Sequence, residues 1–308
     1  DSSRVSFVCE ADYVSGACLA IKAEIFHQLG GFDCHYKPAY YEDTDLCFKV
    51  RDLGLKVIYQ PACVIIHFEG ISSGTSESTG IKKYQAVNRE KFARRWSGAL
   101  QTQPAPVPAL HAISLIEKAR HHRTTGHILV IDAETPQPDH DSGSVRMMAI
   151  LQLLLELGYR VSFMPVNLAW KGAYSEALQN SGIEVIRHPE VSNVEHWLEN
   201  YGDLLSWVFA SRHYVLSEVY DCLTKHCPQA KIIFDTVDLH FLREQRQAEL
   251  ACDAAAYKVA NATRSQELSL IQKADVTTVV SITEKDLLLD IMPDASIQIL
   301  SNMPCHRS

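Results

Sequence analysis

The chain has 308 residues, 46% of them hydrophobic and 21% charged, and a formal net charge of −8. That is the composition of an ordinary folded protein with length for about two domains. It carries no long basic run of the kind that marks a nucleic-acid binder, and no apolar run approaching the roughly 18–20 residues that cross a bilayer.

Charge is unevenly placed. Residues 1–100 balance twelve basic against twelve acidic residues, whereas residues 126–308 hold fourteen against twenty-four. Nine cysteines are irregularly spaced, with no CxxC pair, and the fourteen histidines form no H-x3-H pattern. No structural metal site is therefore expected. Cys18 and Cys63 lie in apolar, strand-like runs, which predicts buried free thiols and a reducing compartment. The opening Asp1-Ser2-Ser3-Arg4 is neither a start methionine nor a signal peptide, so the sequence reads as a piece of something longer.

In chain order, the first segment (1–100) predicts a strand at 12–21, a helix at 23–29 and a Gly-Gly turn. A loop at 33–41 leads into a helix at 42–53 stopped by Gly54. Short strands follow near 56–59 and 63–67, then a polar loop with Ser72, Ser73 and Gly74. A helix from Ile81 to Trp96 carries an apolar stripe of Tyr84, Val87, Phe92 and Trp96. Residues 101–125 read as a linker, because Pro104, Pro106 and Pro108 disfavour both helix and strand, with some helix at 109–120.

From residue 126 to 308 the pattern alternates as in a doubly wound α/β domain. Strands are expected at 127–131, 160–166, 183–187, 204–210, 231–235, 275–280 and 296–300. Helices are expected at 143–157, 172–181, 193–200, 212–226 and 283–291, with a long helical stretch over 240–272. Seven strands separated by helices imply a parallel sheet.

The chemistry of the first segment centres on Tyr40-Tyr41-Glu42-Asp43-Thr44-Asp45-Leu46. This is a carboxylate pair opening a helix after an aromatic loop, and the helix dipole favours negative charge there. Capping is the plain alternative for Glu42 and Asp43, and Asp45 reads as a solvated or capping residue. An apolar run from Val64 to Ile66 ends on His67, which is either a satisfied edge residue or a ligand.

Taken in order, Ser15-Gly16-Ala17, Gly30-Gly31-Phe32-Asp33, Glu42-Asp43-Thr44-Asp45-Leu46 and the run ending on His67 form one set. Over about residues 5–98 this set resembles the second half of the catalytic domain of family 2 glycosyltransferases, inverting enzymes with a GT-A fold. The resemblance implies that Asp43 is the general base and that Glu42 orients the acceptor. Gly16 would then line the substrate site, Tyr40 and Tyr41 would form a wall for a sugar ring, and His67 would approach a metal or diphosphate. It also implies a divalent cation, Mg or Mn, whose main ligands lie outside this chain. The family's Asp-x-Asp strand precedes everything seen here, and Asp43-Thr44-Asp45 sits in the acceptor motif instead. A complete donor site is therefore not expected in this chain, and a truncated sheet edge should make residues 1–100 prone to aggregate.

In the second segment, Ile128-Leu129-Val130-Ile131-Asp132 runs through a loop to Gly143 and a helix. Gly143 permits close backbone approach, the helix start offers N–H donors to an anion, and Arg146 adds a guanidinium near that entrance. The segment resembles the N-terminal Rossmann domain of a family 4, GT-B glycosyltransferase. The likeness rests on Leu154 to Val161, on Phe234-Asp235-Thr236-Val237-Asp238-Leu239-His240, and on Ala274 to Ser281. It implies that Gly143 lies near phosphates and that Asp238 and His240 face acceptor or donor, with capping the alternative for Asp238.

The combined expectation is a tandem glycosyltransferase fragment. It would use a nucleotide-sugar donor and a saccharide or lipid-linked saccharide acceptor in surface polysaccharide synthesis, and bind no nucleic acid. The expected location is cytoplasmic, or peripheral at the inner face of a membrane. The rival reading is a non-catalytic Rossmann-type binding or scaffold module. An NAD-linked oxidoreductase is disfavoured because no Gly-rich fingerprint follows 127–131.

Overall fold

The computed structural model describes residues 6–67, 80–105 and 113–301. The chain divides into two compact units, Val8–Pro108 and Asp1–Phe7 together with Ala109–Ser308. They are called here the smaller unit and the sheet unit. The predicted loop at Ser72, Ser73 and Gly74 and the linker residues Pro106 and Pro108 lie outside the described residues.

The smaller unit contains β1 (Cys9–Glu10), α1 (Ala23–Gln28), α2 (Glu42–Asp52), β2 (Ile58–Tyr59), α3 (Lys83–Arg95) and α4 (Ser97–Leu100). Strands β1 and β2 pair antiparallel. Helix α2 carries Glu42, Asp43 and Asp45 in its first turn and Lys49 and Arg51 in its last, the charge order that complements the helix dipole. Its inward face brings Phe48 against Phe92 of α3, edge to face with centroids 5.0 Å apart. Tyr36, Phe48 and Phe92 form the buried core, with Tyr41, Trp96, Ala99 and Leu100 packed around it.

Two expected strands of this unit are not formed. Residues 12–21 hold a 3-10 turn at Gly16–Cys18, which Ser15 caps by accepting from the Ala17 N–H. Their backbone groups bond locally and to α2 rather than along a ladder. Residues 63–67 are also irregular, and Val64 and Ile66 are more than 80% exposed. Apolar content alone mimics a strand, but a strand needs a ladder partner, and β1 pairs with β2 instead. Cys18 and Cys63 are consequently exposed rather than buried.

The sheet unit holds seven strands: β3 (His127–Asp132), β4 (Arg160–Pro165), β5 (Glu184–Val185), β6 (Trp207–Ser211), β7 (Lys231–Asp235), β8 (Val276–Val279) and β9 (Ile297–Ile299). Every pairing is parallel, in the order β5-β4-β3-β6-β7-β8-β9. Helices α5 (Ile113–Arg120), α6 (Ser142–Glu156), α7 (Ala173–Asn180) and α8 (Val194–Tyr201) precede α9 (His213–His226), α10 (His240–Ala251), α11 (Ala254–Lys273) and α12 (Ile282–Ile291). This is the expected Rossmann-like α/β fold.

Strands β3 and β4 are buried at every position, as befits a sheet covered on both faces. The expected long helix at 240–272 is two helices, divided where Cys252 turns left-handed and Asp253 caps α11. Helix α5, expected within a linker, packs in the sheet unit: Glu117 is buried and pairs with Arg160 at 2.8 Å. Among the described residues no helix is long and apolar enough to cross a membrane.

The strand order reverses between β3 and β6. In open parallel sheets the crevice beyond the carboxyl ends of such neighbouring strands is where ligands bind.

Candidate functional site

In the smaller unit, α2 starts directly after the aromatic loop, so its first-turn carboxylates stand beside the 3-10 turn at Gly16. The Gly16 N–H donates to Asp43 Oδ2 at 2.8 Å, and the Thr44 N–H donates to Oδ1 at 2.7 Å. Asp43 is half-buried. With the Thr44 hydroxyl also donating to Oδ1 at 3.3 Å, these donors fix the carboxylate plane and leave Oδ2 with free accepting capacity. A Cβ on Gly16 would lie 3.2 Å from Asp43 Cβ and 3.3 Å from Oδ2, which is why glycine fits this contact. Glu42 Oε2 is shielded from solvent and accepts no hydrogen bond.

The aromatic loop is strained. Tyr40 and Tyr41 both have positive φ, +73° and +74°, a region costly for side chains of this bulk. Asn88 holds them there. Fully buried on α3, its Nδ2 donates to the carbonyls of Tyr36, Ala39 and Tyr40 at 2.6, 2.8 and 3.1 Å. Tyr41 packs its ring on Phe92, centroids 5.3 Å apart, and Tyr40 is half-buried. Nothing in the sequence singled out Asn88, because its partners lie 48–52 residues away.

Asp45 corrects the expectation of a solvated or capping residue. It is fully buried and accepts from Trp96 Nε1 at 2.8 Å and from the Tyr36 hydroxyl at 3.1 Å, while Lys49 Nζ pairs with it at 2.9 Å. Burial, reinforced by this neighbouring carboxylate, pushes the Tyr36 hydroxyl up to about 12. Asp45 thus ties α2 to Trp96, the residue that closes α3.

His67 is exposed. Among the described residues of this unit no three histidine, cysteine or carboxylate ligand atoms gather closely enough to share an ion. Cys18 and Cys63 bring their sulfurs to 3.3 Å, a contact that raises the Cys18 thiol.

At the carboxyl ends of the sheet-unit strands stand Asp132 on β3, Arg212 after β6 and the fully buried Asp235 on β7. Gly143 lies in the first turn of α6, where Asp141 caps the helix by accepting from the Ser144 N–H at 2.8 Å. Arg146 does not face this entrance as expected. It is 2% exposed, makes paired bonds to Asp235 at 2.7 and 2.8 Å, and donates again to the Leu300 carbonyl. With its guanidinium committed to the interior, it has no arm left for an anion. The cation near Gly143 is Arg212, whose NH2 would lie 3.8 Å from a Cβ there. Arg212 is a quarter exposed and pairs with Asp132 at 2.9 Å. Burial raises the Asp132 carboxyl even though Arg212 opposes the shift. A lone arginine following a strand gave no sequence signal.

Asp238 is about one-third exposed and is paired with Arg243. His240, expected to face a ligand in the cleft, is buried instead. Its Nδ1 meets Asp238 Oδ1 at 3.2 Å and Glu267 Oε1 at 3.6 Å. The cause is local: His240 opens α10, and Glu267 of α11 accepts the N–H groups of His240 and Phe241 at that helix start. The imidazole is drawn inward with them.

Comparison with known proteins agrees with a transferase-like segment. The chain is 30% identical over 86 residues to the N-acetylglucosaminyl-diphospho-decaprenol L-rhamnosyltransferase of Mycobacterium tuberculosis, 28% of each chain. It is 32% identical over 97 residues to the uncharacterized protein y4gI of Sinorhizobium fredii, 32% of this chain and 11% of that one. The chain therefore spans well under a third of either relative. No protein-family model matches it. The similarity supports a glycosyltransferase-like segment.

Proposed function

We propose that the smaller unit is the acceptor half of an inverting glycosyltransferase, with Asp43 as general base. The observation that carries this reading is the half-buried Asp43 carboxylate, held by the Gly16 N–H at 2.8 Å and the Thr44 N–H at 2.7 Å. In such a reaction the carboxylate takes the proton of the attacking hydroxyl as the new glycosidic bond forms. The nucleoside diphosphate leaves on the opposite side. Glu42, beside Asp43 in the first turn of α2, orients the acceptor. The strained Tyr40–Tyr41 turn, clamped by Asn88, shapes the wall of the acceptor site.

The donor is a nucleotide sugar, and the acceptor a saccharide or lipid-linked saccharide. The name of the mycobacterial relative, a transferase acting on a decaprenol-linked diphosphosugar, supports the lipid-linked form. On this reading the protein works in surface polysaccharide synthesis, at the cytoplasmic face of a membrane as a peripheral protein. The sheet unit is read as the N-terminal domain of a GT-B module. The inward-turned Arg146 favours a binding or scaffold role for that unit, since it removes the anion contact expected at α6.

The test is transfer from radiolabelled nucleotide sugars to lipid-linked acceptors by the longer protein that also carries the donor half, with and without Asp43→Asn. Loss of transfer with an unchanged circular dichroism spectrum supports the base assignment. Equal rates refute it.

A further inference from the structure

Three side chains that the proposed transferase chemistry does not use converge in the sheet unit. His213 begins α9 just beyond β6, His240 begins α10 after β7, and Glu267 lies on α11. They are 8%, 7% and 0% exposed, and one ligand atom from each lies within 4.8 Å of the others. Both imidazoles turn the same nitrogen to the same oxygen: His213 Nδ1 and His240 Nδ1 are each 3.6 Å from Glu267 Oε1. The rings meet edge to face, centroids 4.7 Å apart.

Capping explains Glu267 only in part. Its two oxygens accept the N–H groups of His240 and Phe241 at 3.2 and 3.0 Å. A carboxylate has about four acceptor sites, so each oxygen keeps a free lone pair. Capping does not explain His213, whose Nδ1 is buried without a hydrogen-bond partner. A polar atom sealed away and aimed at a carboxylate without bonding it is costly unless something completes the site. The 3.6 Å separations are close to the edge of a tetrahedron of roughly 3.4 Å that bonds of about 2.0–2.1 Å to nitrogen and oxygen imply.

We propose that His213, His240 and Glu267 form a binding site for a divalent first-row transition ion such as zinc. Two imidazoles and one carboxylate favour such an ion over magnesium or calcium, which prefer oxygen-only shells. Asp238, about a third exposed, lies beside the site, its Oδ1 3.2 Å and its carbonyl oxygen 3.1 Å from His240 Nδ1, and the ion's remaining position is left to solvent. The site joins the starts of two helices to a third helix at the carboxyl end of the sheet, so a bound ion braces that edge. Its residues are too widely separated in sequence for any ligand-spacing rule to find them.

The test uses the full chain, free of any histidine tag and stripped with a chelator, titrated with Co2+ and Zn2+. The expected result is one ion per chain, visible Co2+ absorption of tetrahedral type, and displacement of Co2+ by Zn2+. His213→Gln removes no hydrogen bond of His213 Nδ1, and Glu267→Gln keeps a capping oxygen. Each is expected to weaken binding at least tenfold, with circular dichroism reporting the fold. A second, more exposed group, Glu195, Glu199 and His226, serves as the control. The proposal is overturned if the folded chain binds no ion, or if Glu195→Gln abolishes binding while His213→Gln leaves it unchanged.

Discussion

The amide of Gly16 donates to Oδ2 of Asp43 at 2.8 Å across 27 residues of sequence, and a Cβ on Gly16 would press on Asp43 at 3.2–3.3 Å, pushing that side chain by a few tenths of an ångström. The turn and the helix start are therefore one device for aiming a carboxylate. Asp43→Asn is expected to lower the transfer rate by about 10²–10⁴-fold, the usual contribution of a general base. Gly16→Ala is expected to lower kcat by tenfold or more with a small change in thermal midpoint, because small displacements at a reacting group are costly. Initial rates for both variants, with circular dichroism as the folding control, check the pair. A Gly16→Ala enzyme with undiminished kcat would show that this contact does not position the base.

Asn88 is the clamp on the tyrosine turn. Asn88→Ala strips a donor from three carbonyls, and each net bond contributes about 0.5–1.5 kcal/mol. The expected cost is on the order of 2–3 kcal/mol, seen as a lower urea midpoint and faster amide exchange in α3. Asn88→Asp, which also places an acid among carbonyls, is expected to destabilise more. A neutral Asn88→Ala would mean that the Tyr40 and Tyr41 backbone keeps its conformation without help.

Arg146 and Asp235 form a buried, doubly bonded ion pair. Arg146→Met strands the Asp235 carboxylate and is expected to cost about 3–5 kcal/mol. Arg146→Met combined with Asp235→Leu, which leaves no charge behind, should recover much of that loss. Denaturant unfolding of the two variants decides. If Arg146 instead served an anion ligand, the single variant would lose binding but keep its stability.

Burial, with the nearby Arg160 and Arg120 charges, lowers the His121 imidazole to about 2, and His127 is likewise held well below its ordinary value. Below about pH 6.5 the unfolded chain binds protons that these folded histidines refuse. Their contribution to stability is complete above pH 6.5 and is lost as pH falls through the window down to about 2. The limiting slope is about 1.4 kcal/mol per pH unit for each histidine. Protection factors in β3, which allow for the slower intrinsic exchange at lower pH, should therefore fall between pH 6.5 and 4.5, and His121→Gln should flatten the response. An unaltered slope in that variant would assign the pH dependence elsewhere.

Period and punctuation in the sequence carried most of the sheet unit. Continuous apolar runs such as 128–131 and glycine stops such as Gly158 are local features, and a parallel sheet covered on both faces leaves few other ways to bury them. The pair Glu42-Asp43 opening α2 was legible for the same reason, since a helix start is written in neighbouring residues. Tertiary structure decided what depends on contacts between distant segments. It sent Arg146 inward to Asp235, placed Arg212 beside Gly143, buried Asp45 under three donors and left Val64 and Ile66 without a ladder. It also brought His213, His240 and Glu267 together. Charge and apolarity are properties of a residue, but the direction a side chain takes depends on partners that the chain supplies only once it has folded.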